Sequence, residues 1–124
     1  MATTVMVVED EPNIGALVRT YLERAGYHAL WVRSGEEALT ELHRHPIALV
    51  ILDIGLPGID GYETARRIRA ESWGKGLKLF ALTGWGQDGA RRASKEAGFD
   101  AHLVKPVDEA TLRTALDAMD QPLV

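Results

Sequence analysis

The chain is 124 residues long, 46% hydrophobic, carries a formal charge of −4 and has no cysteine. That length makes a single domain, 1–124, able to bury about two-thirds of its unfolded surface, and the missing thiols exclude disulfides, thiolate nucleophiles and zinc-thiolate sites. No basic block points to nucleic acid, the start lacks a signal peptide's basic and then long apolar pattern, and the longest apolar run, Ile47–Leu52, is too short to span a membrane, so the cytoplasm is the expected location.

In chain order, the apolar run Val5–Val8 reads as a first strand. Pro12 suits the first turn of a helix, in which Leu17, Val18, Leu22 and Ala25 precede Gly26 as a C-terminal stop. Ala29–Val32 is a second strand. Ser34 and Glu37 have capping-box spacing for a second helix. Ile47–Leu52 is a third strand, and Asp60 with Glu63 opens a third helix. Within that helix Arg66, Arg67 and Arg69 fan around the axis as a solvated face. Trp73–Gly76 reads as a loop. Leu77–Leu82 is a fourth strand broken only by Lys78, and Asp88 can cap a fourth helix that Gly98 ends. Ala101–Val104 is a weaker fifth strand. Asp108 caps a last helix in which Ala110, Leu112, Ala115, Leu116 and Met119 recur at helical spacing.

The strand runs are nearly continuous rather than alternating, as expected for strands covered on both faces. Five β-α units predict an α/β domain: a five-stranded parallel sheet, strand order 2-1-3-4-5, with helices on both faces in the flavodoxin-like manner.

In such a sheet the residues that follow each strand gather along one edge, where ligands bind. That edge receives Glu9 and Asp10, then Asp53, Thr83 and Lys105. Two carboxylates about 4 Å apart repel by roughly 4 kcal/mol at an effective dielectric of about 20, so three acids need a cation. Oxygen ligands without nitrogen or sulfur favour a hard metal, Mg2+ first and Mn2+ as its substitute. Metal, ammonium and hydroxyl together suit a phosphoryl group, and an Asp carboxylate beside them can act as the nucleophile.

These residues sit in longer motifs: Val7-Val8-Glu9-Asp10-Glu11-Pro12, Leu52-Asp53-Ile54-Gly55-Leu56-Pro57-Gly58-Ile59-Asp60-Gly61, Ala81-Leu82-Thr83-Gly84 and Leu103-Val104-Lys105-Pro106-Val107. Through them nearly the whole chain resembles the receiver domain of bacterial two-component response regulators (the CheY-like fold), including receiver modules of hybrid sensor kinases. The wording from Thr83 to Val107 leans towards the hybrid type. The resemblance implies that Asp53 accepts a phosphoryl group from a kinase phosphohistidine, directly or through a phosphotransfer domain. It implies that Glu9, Asp10, Asp53 and the Gly55 carbonyl hold the metal. Lys105 would contact the phosphoryl oxygens, and Pro106 would follow a cis peptide. Thr83 would swing its hydroxyl to the phosphoryl group with the Gly84 amide beside it. The only reactions implied are the domain's own phosphorylation and dephosphorylation. The family's output face, also its route to a homodimer, would comprise Asp88–Ala97, Ala101–Val104 and Asp108–Met119. No output segment follows Val124 here, so a downstream protein or a domain outside this sequence is expected to read the signal.

Three positions modify what the resemblance implies. The family often has Tyr or Phe where His102 stands, which makes His102 a weaker or pH-sensitive switch residue. Gly55 offers no side chain to position water, while Trp85 can shield the site, so an intermediate to long phosphoryl lifetime is expected. Repulsion among the acids also predicts that Asp10→Asn and Asp53→Asn leave the metal-free fold equally stable or more stable. Three rival readings are weaker. Gly84-Trp85-Gly86-Gln87-Asp88-Gly89 has dinucleotide-fingerprint spacing, but follows the fourth strand and leads to Val104 and Lys105 where a ribose-binding acid belongs. A phosphatase of the haloacid dehalogenase type would need an Asp at Gly55. A scaffold that is never phosphorylated would not need the complete set of site residues.

Overall fold

A computed structural model describes residues 3–84 and 95–120. Five parallel strands run β1 Thr4–Val8, β2 His28–Val32, β3 Leu49–Asp53, β4 Lys78–Thr83 and β5 Ala101–Val104, in the order β2-β1-β3-β4-β5. The helices are α1 Pro12–Arg24, α2 Gly35–Leu42, α3 Gly61–Ala70 and a C-terminal helix, Glu109–Asp120. Among the described residues no helix is long and apolar enough to cross a membrane.

The continuous apolar runs become strands buried on both sides, because alternate side chains serve different layers. Val5, Val7, Leu49, Ile51, Phe80 and Leu82 pack with Val18 and Leu22 of α1 and Leu112 and Leu116 of the C-terminal helix. Met6, Val8, Val50, Leu52, Leu79 and Ala81 pack with Ala38 of α2 and Ala65 and Ile68 of α3. β2 is an edge strand and only half covered.

Caps fix where the helices begin. Ser34 accepts the Glu37 amide, Asp60 the Glu63 amide and Asp108 the Thr111 amide, at 3.0, 2.9 and 2.7 Å. Glu11, not Asp10, caps α1, accepting the amides of Asn13 and Ile14 at 3.0 and 3.2 Å. Asp10 is therefore not used as a cap. Gly26 ends that helix at φ 95°, a conformation open to glycine at little steric penalty.

Three expectations change. The third and fourth strands begin and end later than their apolar runs, since pairing carries β3 through Asp53 opposite Leu82 and the Ile54 amide on to the Leu82 carbonyl. Asp53 is thus the last residue of a strand, not the first of a loop. Trp73–Gly76, read as a plain loop, shares a 3₁₀ turn over Ser72–Gly74; the Gly74 amide bonds the Glu71 carbonyl, and a Cβ on Gly74 would collide with the Ile68 carbonyl oxygen. Arg66 and Arg67 do lie on a solvated face, paired with Glu63 at 3.6 and 2.9 Å, but Arg69 turns inward and donates to the carbonyls of Gly98, Gly74, Lys75 and Leu77. Of the fourth helix only residues 95–97 are described; its expected cap Asp88, together with Trp85 and the Gly86–Gly89 part of the glycine spacing, lies outside the described residues.

Candidate functional site

The strand ends bring the acids together. Glu9 follows β1 directly and is fully buried, because its amide continues the ladder to the Val32 carbonyl at 3.1 Å. Its Oε2 accepts the Glu11 amide at 3.1 Å. Asp10, next along, is exposed at the mouth of the cleft. Asp53 closes β3 with 5% exposure, and its Oδ1 accepts the Gly55 amide at 3.0 Å. Carboxylate oxygens of Glu9, Asp10 and Asp53 all lie within 4.8 Å of one another.

Lys105 stands between two of them. Its Nζ is 3.0 Å from Glu9 Oε1 and 3.2 Å from Asp53 Oδ2. The backbone aims it there, since the Lys105 amide donates to the Thr83 carbonyl at 2.7 Å and so joins the end of β4 to the segment after β5. The Lys105–Pro106 peptide is cis.

One ammonium does not balance three carboxylates. Burial, then the nearby Asp53 carboxyl, pushes the Glu9 carboxyl up to about 7, against the pull of Lys105 and the Glu11 amide. Burial alone would lower the Lys105 ammonium, but its bond to Glu9 and the charges of Asp53 and Glu9 outweigh that and raise it. Both directions express excess negative charge in a partly dehydrated site. The donors are all oxygen, so a hard divalent cation fits them.

Thr83 ends β4 and is buried; Gly84 is exposed. Thr83, Gly84 and Gly55 line the same cleft of about 400 Å3 as the acids and Lys105. Gly84 has no positive φ, and among the described residues no atom lies within 4 Å of where a Cβ would stand, so its missing side chain leaves the cleft open. Gly61 does the opposite: a Cβ there would collide with the Asp53 carbonyl oxygen, so glycine lets the start of α3 press against the Asp53 backbone. His102 is half-buried in β5 opposite Ala81 and does not line the cleft.

Sequence reasoning missed Trp31. Its Nε1 donates to the Glu9 carbonyl at 2.9 Å. The one signal for it was Gly15 in the middle of an otherwise good helix, where a Cβ would collide with the Trp31 ring.

Comparison with known proteins gives one answer. The family model of the response regulator receiver domain matches residues 5–117. The transcriptional regulatory protein ResD of Bacillus subtilis is 38% identical over 104 residues, which is 84% of this chain but 42% of that protein, so the chain spans less than half of this relative. The crystal structure of a putative response regulator from Chloroflexus aurantiacus superposes with a TM-score of 0.92 at 32% identity, covering 96% of this chain and 98% of that one. The receiver domain of sensor histidine kinase PA1611 from Pseudomonas aeruginosa superposes with a TM-score of 0.89 at 29% identity, covering 96% and 98%; that structure has a magnesium ion coordinated in its active-site cleft.

Proposed function

Because the chain belongs to the response regulator receiver domain family, a signalling module of two-component systems, we propose that it is a phosphorylation switch in which Asp53 accepts a phosphoryl group from a phosphohistidine. What carries this reading is the placement of three carboxylates within 4.8 Å of one another around a lysine that contacts two of them. An Asp53 oxygen attacks phosphorus; the new P–O bond forms as the P–N bond to imidazole breaks, and the imidazole recovers a proton from solvent. Lys105 exchanges its carboxylate partners for the incoming phosphoryl oxygens. Thr83 and the Gly84 amide supply hydrogen bonds from the end of β4. Glu9, Asp10, Asp53 and the Gly55 carbonyl would hold Mg2+, or Mn2+ in its place. Such an ion, when bound, neutralises charge on the phosphoryl oxygens.

The partners that follow are a sensor histidine kinase or phosphotransfer domain upstream and a downstream protein that reads the face around β5 and the C-terminal helix. That face would also serve a homodimer. The proposed location is the cytoplasm, with neither nucleic acid nor membrane contacted directly. His102 belongs to the switch with Thr83, filling part of the space an aromatic ring has in relatives. Chemical-shift changes on phosphorylation should then shrink in His102→Ala; changes identical to wild type would remove His102 from the switch.

The direct test is intact mass after incubation with acetyl phosphate. Wild type with Mg2+ should gain one phosphoryl group, while Asp53→Asn and a chelator-treated control gain none. If wild type stays unmodified both with acetyl phosphate and with a phosphorylated kinase, the domain acts as a scaffold instead.

A further inference from the structure

Glu9 and Asp10 share a peptide bond, and its carbonyl oxygen is the Glu9 carbonyl that accepts the Trp31 Nε1–H bond at 2.9 Å. The preceding peptide is fixed by the Glu9 amide on the Val32 carbonyl at 3.1 Å. Two consecutive residues of β2 therefore hold the peptides on either side of Glu9. Rotation about the Cα–C bond of Glu9 would swing its carbonyl off Trp31 and carry the Asp10 carboxylate away from Asp53, and the indole N–H opposes that rotation.

The ring is itself tightly seated. It lies against α1, where a Cβ on Gly15 would collide with Cε2 and stand 2.5 Å from Nε1. Glycine inside a helix is unfavourable relative to alanine, and here it makes room for the indole. The guanidinium carbons of Arg33 and Arg19 sit 4.8 and 5.5 Å from the ring centroid, within cation–π range. Helix α1, strand β2 and the turn after β2 thus converge on one side chain that touches the acid loop.

We infer that Trp31 is a positioning residue for the cation site: its indole N–H sets the orientation of the Glu9–Asp10 peptide and so holds the Asp10 carboxylate beside those of Glu9 and Asp53 for a divalent ion. This rests on the metal-dependent reading above. A tryptophan placed only for packing would leave ion affinity untouched when its N–H alone is removed.

The test is a calorimetric Mg2+ titration of the whole chain. It compares wild type, Trp31→Phe, Gly15→Ala, the double variant, and a protein in which the indole of Trp31 is replaced by the isosteric benzothiophene, which lacks the donor. Loss of one neutral hydrogen bond should raise the Mg2+ Kd by about threefold to tenfold in Trp31→Phe and in the benzothiophene protein. Gly15→Ala should weaken binding as well, and the double variant should bind no more weakly than Trp31→Phe, since both changes break the same bond. A benzothiophene protein with the wild-type Kd overturns the assignment and leaves the proposed function standing. A wild type that binds no Mg2+ overturns both.

Discussion

Replacing Arg69 with methionine is expected to lower the stability of the domain by about 2–4 kcal/mol, read as a fall in the urea midpoint with an unchanged slope. The guanidinium reaches the Gly98 carbonyl through Nε at 3.0 Å and Nη2 at 2.7 Å, the Gly74 carbonyl at 2.8 Å, and the carbonyls of Lys75 and Leu77. It also pairs with Asp100 Oδ2 at 2.9 Å, an oxygen that accepts the Leu79 amide as well. The Gly98, Lys75 and Leu77 carbonyls would lose the guanidinium together, while the Gly74 carbonyl and the Asp100 carboxylate would each keep one backbone amide. The effect stays below a simple sum because Asp100 is partly exposed and water replaces some bonds. Lysine should not rescue, since one ammonium cannot span the fork. The clamp sits before β4 and β5, at the end of the sheet away from the cleft, so folded Arg69→Met should still take up a phosphoryl group at Asp53. A loss below about 1 kcal/mol would show that solvent satisfies these carbonyls as well as Arg69 does.

Arg69 also marks where the sequence stops being informative. Its neighbours Arg66 and Arg67 behave as a helix surface should, and nothing local separates the three. The distinction comes from carbonyls at Gly74–Leu77 and at Gly98, which only the folded chain brings within reach. Gly98 looks like a helix stop, and it is one at φ 102°, but a Cβ there would also meet the Arg69 stem at 2.8 Å. Trp31 is the same case: its partners are a backbone carbonyl and a helical glycine, neither of which leaves a mark in a hydrophobic pattern.

What the sequence does reveal is whatever each local segment decides alone. Buried parallel strands need unbroken apolar runs, so the five strands stand out, with their ends displaced by a residue or two where pairing outlasts the apolar stretch. Capping side chains act within three residues, so Ser34, Asp60 and Asp108 mark helix starts. The cleft is legible for a topological reason: parallel strands deliver their C-terminal ends to one edge, so polar residues after separate apolar runs must meet there. Their protonation is not legible, because it depends on burial and on distances between groups from three strand ends.

That protonation gives the second large expectation. Without metal, Glu9→Gln should be more stable than wild type at about pH 8, by up to about 3 kcal/mol, with the difference vanishing towards about pH 4. The sign follows from the Glu9 carboxyl, which is raised from 4.5 to about 7 by burial and by Asp53. Between those values the folded chain keeps a proton that the unfolded chain has released. The unfolded state then binds fewer protons, and stability falls as pH rises through this window. Below it both states are protonated and the penalty is absent; above it the penalty is complete. Lys105, whose ammonium is raised, stays charged throughout and contributes no slope there. The amide introduced by Glu9→Gln cannot ionise, so the wild-type minus variant difference isolates Glu9 from the four histidines. The same repulsion should leave metal-free Asp10→Asn and Asp53→Asn at least as stable as wild type. Saturating Mg2+ should reverse the order at pH 8, because ligand binding stabilises the folded state and the Glu9→Gln variant lacks one carboxylate for it. Urea titrations across pH, with chelator and with Mg2+, decide the matter; a metal-free wild type that gains stability over Glu9→Gln as pH rises would mean that Lys105 already compensates the cluster, and that no cation is needed to hold these acids together.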